Sequence, residues 1–202
     1  FSYDIIDRRL PHGTIPKLSA PIVGRTESGR SALIVDLCKE TTEHIAIIGN
    51  GGTGKTTSLR KLMDDTFSKE TAYSSDIQIP FFIELNQCPT DIHGWYVDSL
   101  GKTNILTRYV ACLLENHTSL HEERPDVLSG IEKEFQRIPD NGKPRYLLLL
   151  DGFNEVKIDE GHSIRSILSN EILVMKGYAN VRIITTGRET QGAYYAHDFR
   201  NI

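Results

Sequence analysis

Residues 49–56 read Gly-Asn-Gly-Gly-Thr-Gly-Lys-Thr, with Thr57 following, and satisfy the pattern G-x-x-x-x-G-K-[ST]. A triphosphate needs several backbone N–H groups turned inward at once, and side chains in that stretch would stand in its way. Gly51, Gly52 and Gly54 supply the bare backbone, while Gly49, Asn50 and Thr53 complete the loop. A helix starting at Lys55 would present its N-terminal N–H groups and positive dipole end to the anion. Lys55 can bridge the outer phosphates and the Thr56 hydroxyl can ligate Mg2+. The plain alternative is a glycine-rich surface loop. The apolar run before the motif and the helical pattern after it weigh against that.

A metal-bound triphosphate also needs a carboxylate from a second strand. "LLLLDGFNE" places Asp151 directly after four leucines, at the C-terminal edge of a buried strand, where open α/β sheets bind ligands. Asp151 is expected to hold the metal with Thr56; the competing reading is an Asp that caps a turn with Gly152. Glu155, four residues on, could orient and deprotonate the water attacking a γ-phosphate, or stand as a solvated loop acid. Guanine recognition usually comes with Asn/Thr-Lys-x-Asp on a later strand. The one K-x-D here, Lys157-Ile158-Asp159, follows Val156 and lies directly behind the metal-binding strand. ATP is therefore favoured over GTP, with ATP/ADP and Mg2+ as the expected cofactors.

The elements that must position these groups are legible from periodicity. "HIAIIG" (44–49), "IPFFIEL" (79–85), "RYLLLLDGF" (145–153) and "VRIITTGR" (181–188) read as buried strands. Helical stripes run over 27–40, 55–67, 103–116, 126–137 and 163–176. Strands alternating with helices predict an α/β fold with a doubly wound parallel sheet. Residues 1–21, with three prolines and no sustained period, read as an extended lead-in, leaving 22–202 as one nucleotide-binding domain.

Bulk properties exclude other classes. The 202 residues suit one domain, and 39% hydrophobic with 25% charged residues is near the globular average, which argues against wholesale disorder. A net charge of −4 gives no direct signal for nucleic acid or an anionic membrane. No apolar run reaches membrane-spanning length and no signal peptide is visible. Cys38, Cys88 and Cys112 form no metal spacing and read as reduced, packed thiols of a cytoplasmic protein. The Asn116-His117-Thr118 sequon reads as a chance match. The chain begins at Phe1 rather than Met, the look of an excerpt from something longer.

Taken in order, "GNGGTGKTT", "IPFFIEL", "LLLLDGFNE" and "IITTGRE" resemble the landmarks of NACHT-type P-loop NTPases, members of the STAND class of signalling ATPases. "PIVGR" (21–25) is similar to an element upstream in that class. The resemblance covers roughly residues 20–190. It implies an ASCE-type, three-layer α/β/α fold, and an approach of Val23, Gly24 and Arg25 to the nucleotide. It also implies phosphate contact by Lys55, metal ligation by Thr56 and Asp151, and a γ-phosphate sensor at Arg188. The plain reading of Arg188 is a surface arginine after a strand. Many members carry Asp-Glu where this chain has Asn154-Glu155, and Asn can hydrogen-bond a water but cannot take its proton.

By that resemblance, small helical, winged-helix and repeat-rich sensor segments lie beyond this stretch, as does the histidine that locks ADP; His197 matches no such motif. The expected partners are ATP, other copies of the full-length protein, and effector and sensor domains outside this segment. The leading expectation is a switch that hydrolyses ATP slowly and signals by nucleotide state, with defence as a candidate setting. A nucleotide-dependent scaffold with little hydrolysis and a turnover AAA+-like ATPase are the competitors.

Overall fold

The computed structural model describes residues 23–25, 31–67, 78–87, 105–115, 125–156, 164–188 and 200–201. Its strands are β1 (Val23–Arg25), β2 (Ser31–Leu33), β3 (Ile45–Ile48), β4 (Ile79–Glu84), β5 (Tyr146–Asp151), β6 (Val181–Gly187) and β7 (Arg200–Asn201). Its α-helices are α1 (Ile34–Lys39), α2 (Lys55–Phe67), α3 (Ile105–Glu115), α4 (Pro125–Gln136) and α5 (Ile164–Lys176).

The four leucines of β5 explain the layering. Successive side chains on a strand point to opposite faces, so a strand covered on both sides is apolar at every position. Leu147 and Leu149 pack with Ile45, Ile47, Leu59, Leu62 and Met63 on the face covered by α1 and α2. Leu148 and Leu150 pack with Leu106, Phe135, Leu168 and Ile172 on the face covered by α3, α4 and α5. Each such leucine contributes about 1.5–3 kcal/mol by leaving water. The result is a three-layer α/β/α arrangement.

The main sheet has the order β4-β5-β6-β3-β7, parallel at every pairing. β6 therefore stands as an additional strand between β3, which precedes the glycine loop, and β5, which carries Asp151. The all-parallel sheet with helices on both faces is the α/β arrangement expected from alternating strands and helices. Chain direction away from β3 reverses here: β4 lies toward one edge and β7 toward the other. Such a switch point opens a crevice at the strands' C-terminal ends.

Buried polar groups tie the sheet to its helices. Arg182 on β6 is 4% exposed; its Nε donates to Glu43 O and its Nη2 to Cys38 O, at 3.0 and 2.5 Å. Cys38 is a free, buried thiol pushed up to about 11 by burial, with the Arg182 charge opposing. His44 accepts the Ile183 N–H at Nδ1 (3.1 Å), so its Nε2–H donates to Lys176 O at 3.2 Å.

Two local expectations are corrected. The helix over 27–40 does not extend through Ser31–Leu33, which instead pairs antiparallel with Val23–Arg25 before α1 begins at Ile34. Leu33 is 38% exposed, so its place in the apolar stripe is coincidental. The strand over 145–153 ends at Asp151, because Gly152 takes φ +74° and the chain turns into a 3-10 segment, Phe153–Glu155. β7 has no apolar signal in the sequence. The lead-in 1–21, Cys88, the sequon and His197 lie outside the described residues.

Candidate functional site

Beyond β3 the chain enters loop 49–54, where Gly52 and Gly54 hold φ of +75° and +85°. Residues with a Cβ adopt such left-handed values at a cost of about 1–2 kcal/mol each. Nothing lies within 4 Å of the point where a Gly52 Cβ would stand, so the backbone there faces open space. The loop passes directly into α2, whose first turn closes with Ser58 N–H on Gly54 O at 2.9 Å. The remaining N-terminal N–H groups of α2 make that end a ready anion site.

Lys55 folds back over this loop. Its Nζ donates to Gly49 O at 2.8 Å and Asn50 O at 2.7 Å, with Thr53 Oγ1 at 3.4 Å. Burial, then the Arg188 charge, hold Lys55 below the ordinary lysine value, against the pull of Asp151 and Glu155. Two cations sharing one cleft repel until an anion comes between them. Arg188 is exposed at the end of β6 and its Nη2 lies 3.8 Å from where a Gly51 Cβ would stand. Its guanidinium therefore hangs over the glycine loop.

The opposite wall is built by β5 and the turn after it. Asp151 Oδ1 accepts the Thr186 hydroxyl at 2.6 Å, and Thr186 Oγ1 accepts the Gly152 N–H at 3.0 Å. Glu155 donates its N–H to Gly152 O at 2.8 Å. Its carboxylate lies against Gly152, where a Cβ would come within 3.3 Å of Oε2. Asn86, in the short 3-10 turn after β4, donates from Nδ2 to Glu155 Oε2 at 3.3 Å. Glu84 ends β4 in register with Asp151. It is paired with Arg60 of α2 at 3.1 Å and also accepts from Gln87.

The glycine loop, the first turn of α2 and the exits of β5 and β6 line an open cleft of about 260 Å3. Gly51, Gly52, Thr53, Gly54, Lys55, Thr56 and Thr57 form one wall, with Asp151, Glu155 and Arg188 facing them. Gly49 and Asn50 contribute the carbonyls that hold Lys55. Val23, Gly24 and Arg25 lie on β1, in the separate antiparallel ribbon. Sequence reading missed Thr186, Glu84 and Asn86. Glu84 had a visible signal, an acid ending an apolar strand just as Asp151 does. Asn86 had none, since it meets Glu155 only through tertiary contact.

Among the described residues no group of three or more His, Cys, Asp or Glu side chains could hold a metal by itself. A cation in this cleft would complete its shell with phosphate oxygens and water, the habit of Mg2+. The open glycine backbone, the lysine and the Asp151 carboxylate fit that group. No helix among the described residues is long and apolar enough to cross a membrane.

No family model matches the chain, and no curated protein matches it. Among solved structures, the crystal structure of Cdc6p from Pyrobaculum aerophilum is similar, with 18% identity and a TM-score of 0.39. The match covers 72% of this chain and 33% of that one, so it spans about a third of the solved chain's length.

Proposed function

We propose that this chain is an ATP-binding module of NACHT/STAND type, which binds ATP with Mg2+, hydrolyses it slowly and signals by which nucleotide it holds. The observation that carries the reading is the convergence of Lys55, Asp151, Glu155 and Arg188 on one cleft beside the glycine loop. Lys55 would exchange the Gly49 and Asn50 carbonyls for the outer phosphate oxygens. Thr56 and Asp151 would hold Mg2+, which neutralises charge on the β- and γ-phosphate oxygens when bound. Glu155 would take the proton of the attacking water as the new O–P bond forms and the bond to the departing ADP breaks.

Arg188 makes the site sensitive to the γ-phosphate, because its guanidinium overhangs the loop from the adjacent strand. In the full-length protein, ATP in place of ADP would then favour self-association and activation of an effector carried elsewhere, in a cytoplasmic setting. Titration with fluorescent ATP and ADP analogues tests this. Arg188→Ala is expected to weaken ATP binding about tenfold, the loss of one charge-assisted hydrogen bond, and to leave ADP binding unchanged. Equal losses for both nucleotides would remove the sensor role, and a wild-type protein that binds neither would end the reading.

A second reading, a scaffold that binds ATP without cleaving it, is favoured by one observation: Asn154, not an acid, lines the cleft beside Glu155. ADP formation with protein in excess over ATP, abolished by Glu155→Gln, would eliminate it.

A further inference from the structure

We infer that Arg165 is a positioning residue for Glu155. The inference rests on the reading that the cleft cleaves ATP with Glu155 as the base. Glu155 sits in a turn whose two flanks are apolar and buried: Phe153 and Val156 are each 4% exposed. Between those anchors lie Asn154 and Glu155, the polar middle of the turn that faces the cleft. Arg165 reaches that middle from the first turn of α5. Its Nη2 donates to Asn154 O at 2.9 Å and to Val156 O at 3.0 Å.

A guanidinium NH2 group carries two diverging, coplanar hydrogens, and here each takes one of the carbonyls that bracket Glu155. Both bonds are charge-assisted, about twice as strong as neutral ones. The helix supplying Arg165 is itself held in the core by Leu168, Ile172 and Met175, all fully or nearly fully buried. A rigid element thus fixes the backbone on both sides of the Glu155 Cα. The Gly152 and Asn86 contacts then set the direction of its side chain.

Phe153 and Val156 keep the turn docked without Arg165, so removing the guanidinium loosens the placement of Glu155 and leaves the phosphate side of the cleft intact. Placement of a catalytic group is costly to lose: a shift of about 1 Å can cost on the order of a hundredfold in rate. Arg165 does not line the cleft, so nucleotide affinity is independent of it.

The test measures two quantities on the full chain: affinity for a fluorescent ATP analogue, and the rate of ADP formation with protein in excess over ATP and Mg2+. Arg165→Met is expected to keep affinity within about twofold and to slow ADP formation at least about tenfold. Arg165→Lys keeps the charge and, with three N–H donors on a shorter reach, is expected to lose only about two- to fivefold in rate. A rate unchanged in Arg165→Met overturns the inference. So does a loss of affinity as large as the loss of rate, or a lysine variant no better than methionine. If Arg165→Met does not fold, the lysine variant decides alone, and a wild-type rate there overturns the inference. A wild-type protein without hydrolysis defeats the hydrolytic reading and this inference together. Wild-type hydrolysis with an unaffected Arg165→Met defeats this inference only.

Discussion

The Thr186 hydroxyl donates to Asp151 Oδ1 at 2.6 Å while accepting the Gly152 N–H at 3.0 Å. One buried hydroxyl on β6 therefore fixes both the carboxylate that ends β5 and the first backbone group beyond it. Both hydrogen-bond partners belong to the neighbouring strand and its exit, so the bridge also holds the two strand ends together beside the cleft.

Thr186→Val keeps the shape and deletes the bridge. The Gly152 N–H and one Asp151 oxygen then lose their partner, at a cost of about 1–3 kcal/mol in unfolding free energy. Under the proposed function, the Mg2+ concentration needed for half-maximal ATP binding is expected to rise about tenfold, while nucleotide binding in chelator stays at the wild-type level. A Mg2+ titration of fluorescent-ATP binding checks this. An unchanged Mg2+ midpoint would separate Thr186 from the metal site.

Alanine at Gly51 and at Gly52 should fail in different ways. A Gly51 Cβ meets only Arg188 Nη2 at 3.8 Å, an ordinary contact, so Gly51→Ala is expected to melt like the wild type. Under the proposed function it should still weaken ATP binding about tenfold, because the new methyl group would stand where the phosphates approach the loop. Gly52 has φ +75°, so Gly52→Ala adds a backbone penalty of about 1–2 kcal/mol in unfolding free energy. Melting curves beside binding titrations tell the two apart. A Gly51→Ala protein with full ATP affinity would place the phosphates elsewhere.

Glu171 makes stability depend on pH. It is 3% exposed on α5, accepts the Leu106 N–H at 2.8 Å at the start of α3, and leaves Oε2 buried without a partner among the described residues. Burial pushes its carboxyl up to about 7, and the N–H groups of α3 oppose this without winning. A carboxyl raised in the folded protein holds its proton more tightly there than in the unfolded chain. Its contribution is full below the ordinary value of 4.5 and is lost as pH rises through about 7. The stability of the wild type relative to Glu171→Gln is therefore expected to fall by on the order of 1–3 kcal/mol between about pH 5 and pH 8. Denaturant unfolding of both proteins across that range measures it. Parallel pH profiles would refute it.

Much of the fold is legible in the sequence because the governing signals are local. β5 announces itself as four consecutive leucines, and α2 begins where the glycines stop, so pattern alone places both within a residue or two of where they lie. Ser31–Leu33 misleads because Leu33 falls on the helical stripe of α1, and nothing nearby in sequence reveals that Val23–Arg25 pairs with it. β7 is two polar residues that are strand only by lying against β3.

The sequence by itself determined the chemistry at hand: bare backbone next to one lysine, an acid at the end of an apolar strand, another acid four residues on, and an arginine after "TTG". Lys55, Asp151 and Arg188 adjoin elements whose period declares them, whereas Glu155 lies in a short 3-10 turn that pattern did not announce. Only the tertiary structure decided how those groups are held. Thr186 pins Asp151 across 35 positions, Asn86 meets Glu155 across 69, and Arg165 brackets Glu155 from the next helix. Such contacts depend on which strand lies beside which, and β6 comes between β3 and β5 through a non-local choice of sheet order that no window of sequence records.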